Sequence, residues 1–166
     1  TKQNPSSGTA LVINKPAGTA DGDLMIAVMT STSGETWTGD TGWTEIADQG
    51  AVPSIRIAYK YAGASEPSSY TFTSSVGGVL SSCIVSYRYA TYDTIAGSFT
   101  TAANPLILNS ISPSASQSLL IAIGARAAAS STLGTPISMT ARVTDNDATS
   151  GSYIVCDQEV AAGPTG

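Results

Sequence analysis

The sequence predicts an all-β protein: a two-sheet antiparallel sandwich, jelly-roll-like, built from two similar halves. Three observations carry that prediction. Apolar residues fall in short runs or strict alternations bounded by Gly, Pro, Asn and Ser, the pattern of strands and tight turns. Hydrophobic residues make up 42% of the chain but charged ones only 11%, less than half the usual share. One stretch also occurs twice. Ala10–Val28 (ALVINKPAGTADGDLMIAV) overlies Pro105–Ile123 (PLILNSISPSASQSLLIAI) without a gap, apolar on apolar through both strands, with Asn14 on Asn109.

Residues 1–9 are polar, with Pro5 and Gly8, and read as an N-terminal arm. Residues 10–166 read as a single β-sandwich domain with pseudo-repeat halves 10–92 and 93–166. The first hairpin joins Ala10–Ile13 to the uninterrupted apolar run Leu24–Met29 through a Pro/Gly turn and the elbow Asp21-Gly22-Asp23. A run of that length behind a Gly-Asp elbow is a strand buried on both faces. Ser31–Gly42 is a Gly/Thr-rich loop carrying Trp37, and Trp43–Asp48 is a short strand with Trp43 in the core. Ser54–Tyr61 sets Ile55, Ile57, Tyr59 and Tyr61 on one face and Arg56, Ala58 and Lys60 on the other. Tyr70–Ser74 and Leu80–Tyr89 complete this half.

The second half repeats the hairpin as Pro105–Asn109 and Ser118–Ala125. Leu119–Ile123 is therefore expected to be as buried as Leu24–Met29. Ala125–Leu133 reads as a loop, Pro136–Asp145 matches Thr41–Asp48, and Ser152–Val160 matches Ser54–Tyr61. The counterparts of the last two strands are missing. Ser152–Val160 is thus expected beside an incompletely paired region, filled by further chain or by a neighbour.

The net charge is −5, and Lys2, Lys15 and Lys60 are the only lysines. A nucleic-acid partner needs a basic stripe, so none is expected. No apolar run reaches membrane-spanning length and no basic amphipathic helix is present, so no membrane partner is expected either.

Catalysis has little to draw on. Histidine is absent, which removes Ser-His-Asp and Cys-His nucleophiles and histidine-ligated metals. Asp21/Asp23, Asp40 with Glu45, and Asp145/Asp147 are the carboxylate pairs, and each lies in a turn context where Asp bonds its own backbone. Neither an enzyme nor a cofactor is expected. Asp145 and Asp147 remain the weak candidates for a cation such as calcium, although the Gly and Glu of a complete loop are missing. Trp37 and Tyr92 are the candidate ligand-stacking aromatics, with Trp37 as a lid over one end of the sandwich the competing reading. Cys83 and Cys156 are either buried thiols or a disulfide, which would close a loop of roughly 70 residues for about 4 kcal/mol.

Five segments occur in a recognisable order: KPAGTADGDLMIA, GWTEI, IRIAYKYA, EPSSYTFT and YRYA. Together they resemble a β-sandwich module recurring in bacteriophage virion proteins, of decoration and fibre type, and in bacterial extracellular proteins. The resemblance implies a non-enzymatic structural protein of a virus particle, a head-decoration (cement) or fibre module. It would be homo-oligomeric, bind the major capsid or another virion protein, and be displayed on the virion surface. The alternative it leaves is a carbohydrate-binding adhesin module of a bacterial surface or secreted protein, extracellular, with a surface glycan as partner.

Overall fold

The computed structural model describes residues 2–39, 41–93, 110–115, 117–126, 133–147 and 151–161. The described residues are all-β and form two antiparallel sheets. The strands are β1 (Lys2–Asn14), β2 (Leu24–Ser31), β3 (Trp37–Thr38), β4 (Thr44–Gln49), β5 (Ser54–Tyr61), β6 (Ser69–Tyr87), β7 (Ser118–Arg126), β8 (Thr140–Asp147) and β9 (Gly151–Val160). The larger sheet runs β1-β6-β2-β5-β4, with β3 on β6, and the smaller runs β7-β9-β8.

The apolar run expected at Leu24–Met29 becomes β2, and every residue from Leu24 to Ser31 is buried. Period-2 alternation sends its side chains into two cores. Leu24, Ile26 and Val28 join Ile55, Ile57, Cys83 and Val85 against Tyr153 and Val155 of β9, so this face packs on the smaller sheet. Met25, Ala27 and Met29 face the opposite way, into a cluster with Leu11, Ile13, Trp37, Tyr70, Phe72 and Leu80. β6 makes that second core possible. Beyond the last β2 pair, Ser31↔Leu80, its N-terminal part folds back over β2 with Ala10–Asn14 of β1 alongside. The Tyr70 hydroxyl thereby reaches the Met25 sulfur at 3.7 Å, and Trp43 packs edge-on to Tyr70 and Phe72.

The sequence reading treated Tyr70–Ser74 and Leu80–Tyr89 as separate strands; they are one strand of 19 residues. Gly78 permits this passage. A Cβ there would lie 2.9 Å from Ser33 Oγ and 3.0 Å from Ser31 Oγ, so a larger residue would have to push those two hydroxyls aside where the Ser31–Ser33 segment approaches. Lys2–Gly8, set apart above as an arm, is instead the first part of β1, paired with Gly78–Cys83.

β2-β5-β4 and β7-β9-β8 share strand order and register. Leu24 pairs with Tyr61 as Leu119 pairs with Glu159, and Thr44 with Tyr59 as Thr140 with Asp157. Both outer strands carry a bulge at the matching place, between Glu45 and Ala47 and between Ala141 and Val143.

Two expectations for the second half are overturned. β9 is the centre of its sheet: β7 pairs with Ser152–Val160 and β8 with Gly151–Asp157, so from Ser152 to Asp157 the strand is paired on both sides and does not border an unpaired region. β7 has only one strand neighbour among the described residues, and Leu119 is 37% exposed, so this run is not the equal of β2 in burial. The strand expected at Pro105–Asn109, Asp40, and most of the loop expected at Ala125–Leu133 lie outside the described residues.

Candidate functional site

A groove of about 460 Å³ opens where the two sheets meet. Its walls are the β1–β2 turn at Pro16–Thr19, the end of β6 from Ile84 to Arg88, and Arg142 and Val143 of β8. The turn is built for rigidity. Thr19 donates its amide and hydroxyl to the Pro16 carbonyl, at 3.3 and 2.8 Å, with Gly18 at a φ of 80° that an L side chain resists. Asp23 closes the elbow: its carboxylate accepts the Ala20 amide at 2.8 Å, while its carbonyl accepts the Ala62 amide at 2.8 Å.

Two arginines stand in the groove, each fixed by a buried carboxylate. Arg88 Nε lies 3.4 Å from Asp23 Oδ1, and its Nη2 donates to the Gly18 carbonyl at 2.9 Å. Arg142 Nε donates to Asp157 Oδ2 at 2.7 Å. The arginine side chains are 54% and 52% exposed and their carboxylate partners 6% and 2%, so the groove shows its cations and hides its anions. Arg142 is the extra residue of the β8 bulge, a device that re-aims a side chain. Its counterpart in the β4 bulge is Ile46, which packs on the inter-sheet core.

Electrostatics keep these roles apart. The Ala20 amide, and after it Arg88, hold the Asp23 carboxyl below its ordinary range against the opposing effect of burial. Burial, reinforced by the nearby Asp157 charge, pushes the Tyr87 hydroxyl up, so it keeps its proton as a donor. That hydroxyl is buried beside the Asp157 carboxylate. The groove therefore offers donors for recognition rather than a nucleophile matched to a base.

The residues singled out in the sequence lie elsewhere. Trp37 is 4% exposed, in the core on the outer face of β2, so its ring is no stacking platform. The polar sequence around it concealed this, because the segment is tied down from below: buried Arg56 donates through Nη1 to the Trp37 carbonyl. Tyr92 stacks on Tyr59 (centroids 4.7 Å apart, 11° between planes) and donates its amide to the Tyr61 hydroxyl at 2.9 Å. Tyr92 packs on the inter-sheet core, so the sheet separates it from Trp37.

Cys83 and Cys156 are free thiols, which overturns the disulfide alternative. Cys83 faces the inter-sheet core. Cys156 shares a face of β9 with Ile154, turned away from Tyr153 and Val155, so alternation directs the two sulfurs apart. Burial pushes the Cys83 thiol up to about 12. Asp145 lies in β8 rather than a turn, 1% exposed, and its Oδ2 accepts the Ser81 hydroxyl at 2.8 Å. Asp147 is the last residue of the same strand, opposite Gly151. Among the described residues no three Cys, Asp or Glu side chains cluster closely enough to hold a metal ion.

Sequence reasoning missed Arg88, Arg142, Tyr87 and Asp157. One signal was available: in the repeat, Arg142 falls opposite apolar Ile46, in a chain with only 7 basic residues.

The fold class these observations define is an all-β chain of two packed antiparallel sheets. Comparison with protein-family models, with curated proteins and with solved structures finds no match.

Proposed function

We propose that this chain is a non-enzymatic structural module of a virus particle: a bacteriophage head-decoration or fibre module. It acts as a homo-oligomer against the major capsid or another virion protein at the particle surface. The resemblance of the five ordered segments motivates the reading. The observation that carries it is how the charged groups are used. Asp23 with Arg88, Glu45 with Arg56, Glu66 with Lys60 and Asp157 with Arg142 are neutralised pairwise, tying turns and strands together. A rigid sandwich with a middle strand buried on both faces suits a load-carrying module. The jelly-roll-like, two-halves construction belongs to the same proposal, supported by the matching register and bulges of β2-β5-β4 and β7-β9-β8.

The test is sedimentation velocity of the purified chain at micromolar concentration, followed by electron microscopy of the assembled species. The reading expects a discrete, closed homo-oligomer. A strictly monomeric chain that turns over a glycan would end it.

The carbohydrate-binding adhesin is the second reading, favoured by one observation. Tyr89 is 96% exposed beside the groove, directly after Arg88. A glycan array separates the two: selective retention of one glycan by a monomer supports the adhesin.

A further inference from the structure

Among the described residues, three buried oxygens without a hydrogen-bond partner, Glu35 Oε1, Glu35 Oε2 and Ser54 Oγ, belong to one corner of the outer core. That corner is built on the last residue of β2. Met25, Ala27 and Met29 send their side chains into the outer core, and period-2 alternation sends Ser31 after them. Ser31 pairs with Ser54 of β5, so the two side chains stand next to each other on that face, 1% and 0% exposed.

The chain then turns back over this pair. The Ser33 amide donates to Ser31 Oγ at 3.1 Å. Exposure alternates from there on: Gly34, Thr36 and Thr38 are exposed while Glu35 and Trp37 are buried, so Glu35 points inward on the same side as Trp37. Two glycines set how deep the loop lies. A Cβ on Gly34 would be 2.8 Å from the Gly50 carbonyl oxygen, and one on Gly50 would be 3.1 Å from the Glu35 carbonyl oxygen. The loop therefore rests on the turn that leads into Ser54, and the Glu35 side chain is held 3% exposed above the two serines.

The nearby cations are directed elsewhere. Arg56, two residues beyond Ser54 on the same face of β5, donates through Nη1 to the Trp37 carbonyl and sets Nη2 3.4 Å from Glu45 Oε2. Its Nε has no partner. Lys60, farther along that face, is taken by Glu66 at 2.9 Å. A buried carboxylate beside hydroxyl oxygens calls for a counter-ion that binds oxygen. One carboxylate supplies one negative charge. A divalent ion would leave an uncompensated positive charge buried near Arg56, so charge balance selects a monovalent one.

We infer that Glu35, Ser31 and Ser54 form a buried site for a monovalent alkali cation, held by the carboxylate and the two hydroxyl oxygens beneath the β2–β3 loop. It needs a single carboxylate, unlike the clusters of three acidic or thiol groups that are absent among the described residues. The bound ion fastens the loop that carries Trp37 over the outer core. This inference goes beyond the virion reading and does not depend on it.

The test compares thermal melts of the intact chain in sodium chloride and in choline chloride at equal ionic strength, because choline is too large for a site closed by a loop. A ligand that binds only the folded state raises the melting temperature. Wild type should melt several degrees higher in sodium. Glu35→Gln removes the charge together with the site, so this variant should melt at least as high as wild type in choline and show no gain in sodium. Ser54→Ala should keep only part of the gain. Sodium-23 relaxation gives a second readout: a broadened, slowly tumbling component with wild type, lost in Glu35→Gln. Equal melts of wild type in the two salts, or a sodium gain that persists in Glu35→Gln, would overturn the inference. So would a crystal structure grown in sodium that shows only ordered water at the Glu35 oxygens, or Arg56 turned onto them.

Discussion

The Tyr153 hydroxyl, on the smaller sheet, donates to the Ser82 backbone carbonyl of the larger sheet at 2.8 Å, with the tyrosine only 1% exposed. Close by, the Ser81 hydroxyl donates to Asp145 Oδ2, so two buried hydrogen bonds clamp β6 to β8 and β9. Tyr153→Phe keeps the ring and loses the bond, and should cost about 1 kcal/mol. Tyr153→Ala also leaves a cavity between the sheets and should cost about 3–5 kcal/mol. Urea unfolding of both variants checks the pair; equal stability of wild type and Tyr153→Ala would mean that the sheets do not share a core.

β2 makes a two-sided claim. Ile26 packs toward the smaller sheet and Met25 toward the folded-back part of β6, at 5% and 0% exposure. Ile26→Ala and Met25→Ala should therefore each cost about 2–5 kcal/mol. Leu119→Ala, at a half-exposed position on β7, should cost clearly less than either. A negligible loss for Met25→Ala would show that the outer core is not closed.

Glu35 is 3% exposed, and among the described residues neither carboxylate oxygen has a hydrogen-bond partner. A buried charge without a partner lowers stability, so Glu35→Gln should raise the unfolding free energy by about 1–2 kcal/mol at neutral pH. Thermal melts of the two proteins decide this. A lower melting temperature in the variant would mean that the carboxylate is bound to something in solution.

Glu66 sets the acid limit. Burial pushes its carboxyl up, but hydrogen bonds from the Tyr70 hydroxyl (2.6 Å), the Gly63 amide and Lys60 outweigh burial and leave it below its ordinary value. Asp23 is held low as well, by the Ala20 amide first. A folded-state value below the unfolded one gives stability that is present above the ordinary carboxylate range and lost as pH falls through the folded value. The melting temperature should thus hold between about pH 5 and 7 and fall below about pH 4. Glu66→Gln should lower it at neutral pH and flatten the acid limb. Stability rising toward pH 3 would contradict these assignments.

The strands most readable in the sequence were those whose pattern depends on nothing distant. β2 is an uninterrupted apolar run and β5 a clean alternation, and both fold accordingly. β6 reads in the sequence as two strands, Tyr70–Ser74 and Leu80–Tyr89; the close approach of Ser31–Ser33 to Gly78 is a long-range contact that the local pattern does not show. β7 looked like β2 in composition, but burial depends on neighbours that composition does not name. The groove was illegible for a similar reason. Arg88 and Arg142 are far apart in sequence, meet only through the packing of two sheets, and owe their orientation to carboxylates on β2's elbow and on β9.

The central claim, that the chain is a repeated structural unit of a particle surface, is tested most directly by cryo-electron microscopy of the assembled protein on its particle. The account predicts copies of this sandwich around a symmetry axis, touching one another and the underlying shell through strand edges and turns. Isolated monomers with no fixed orientation to any neighbour, each holding a glycan against Tyr89, would contradict it.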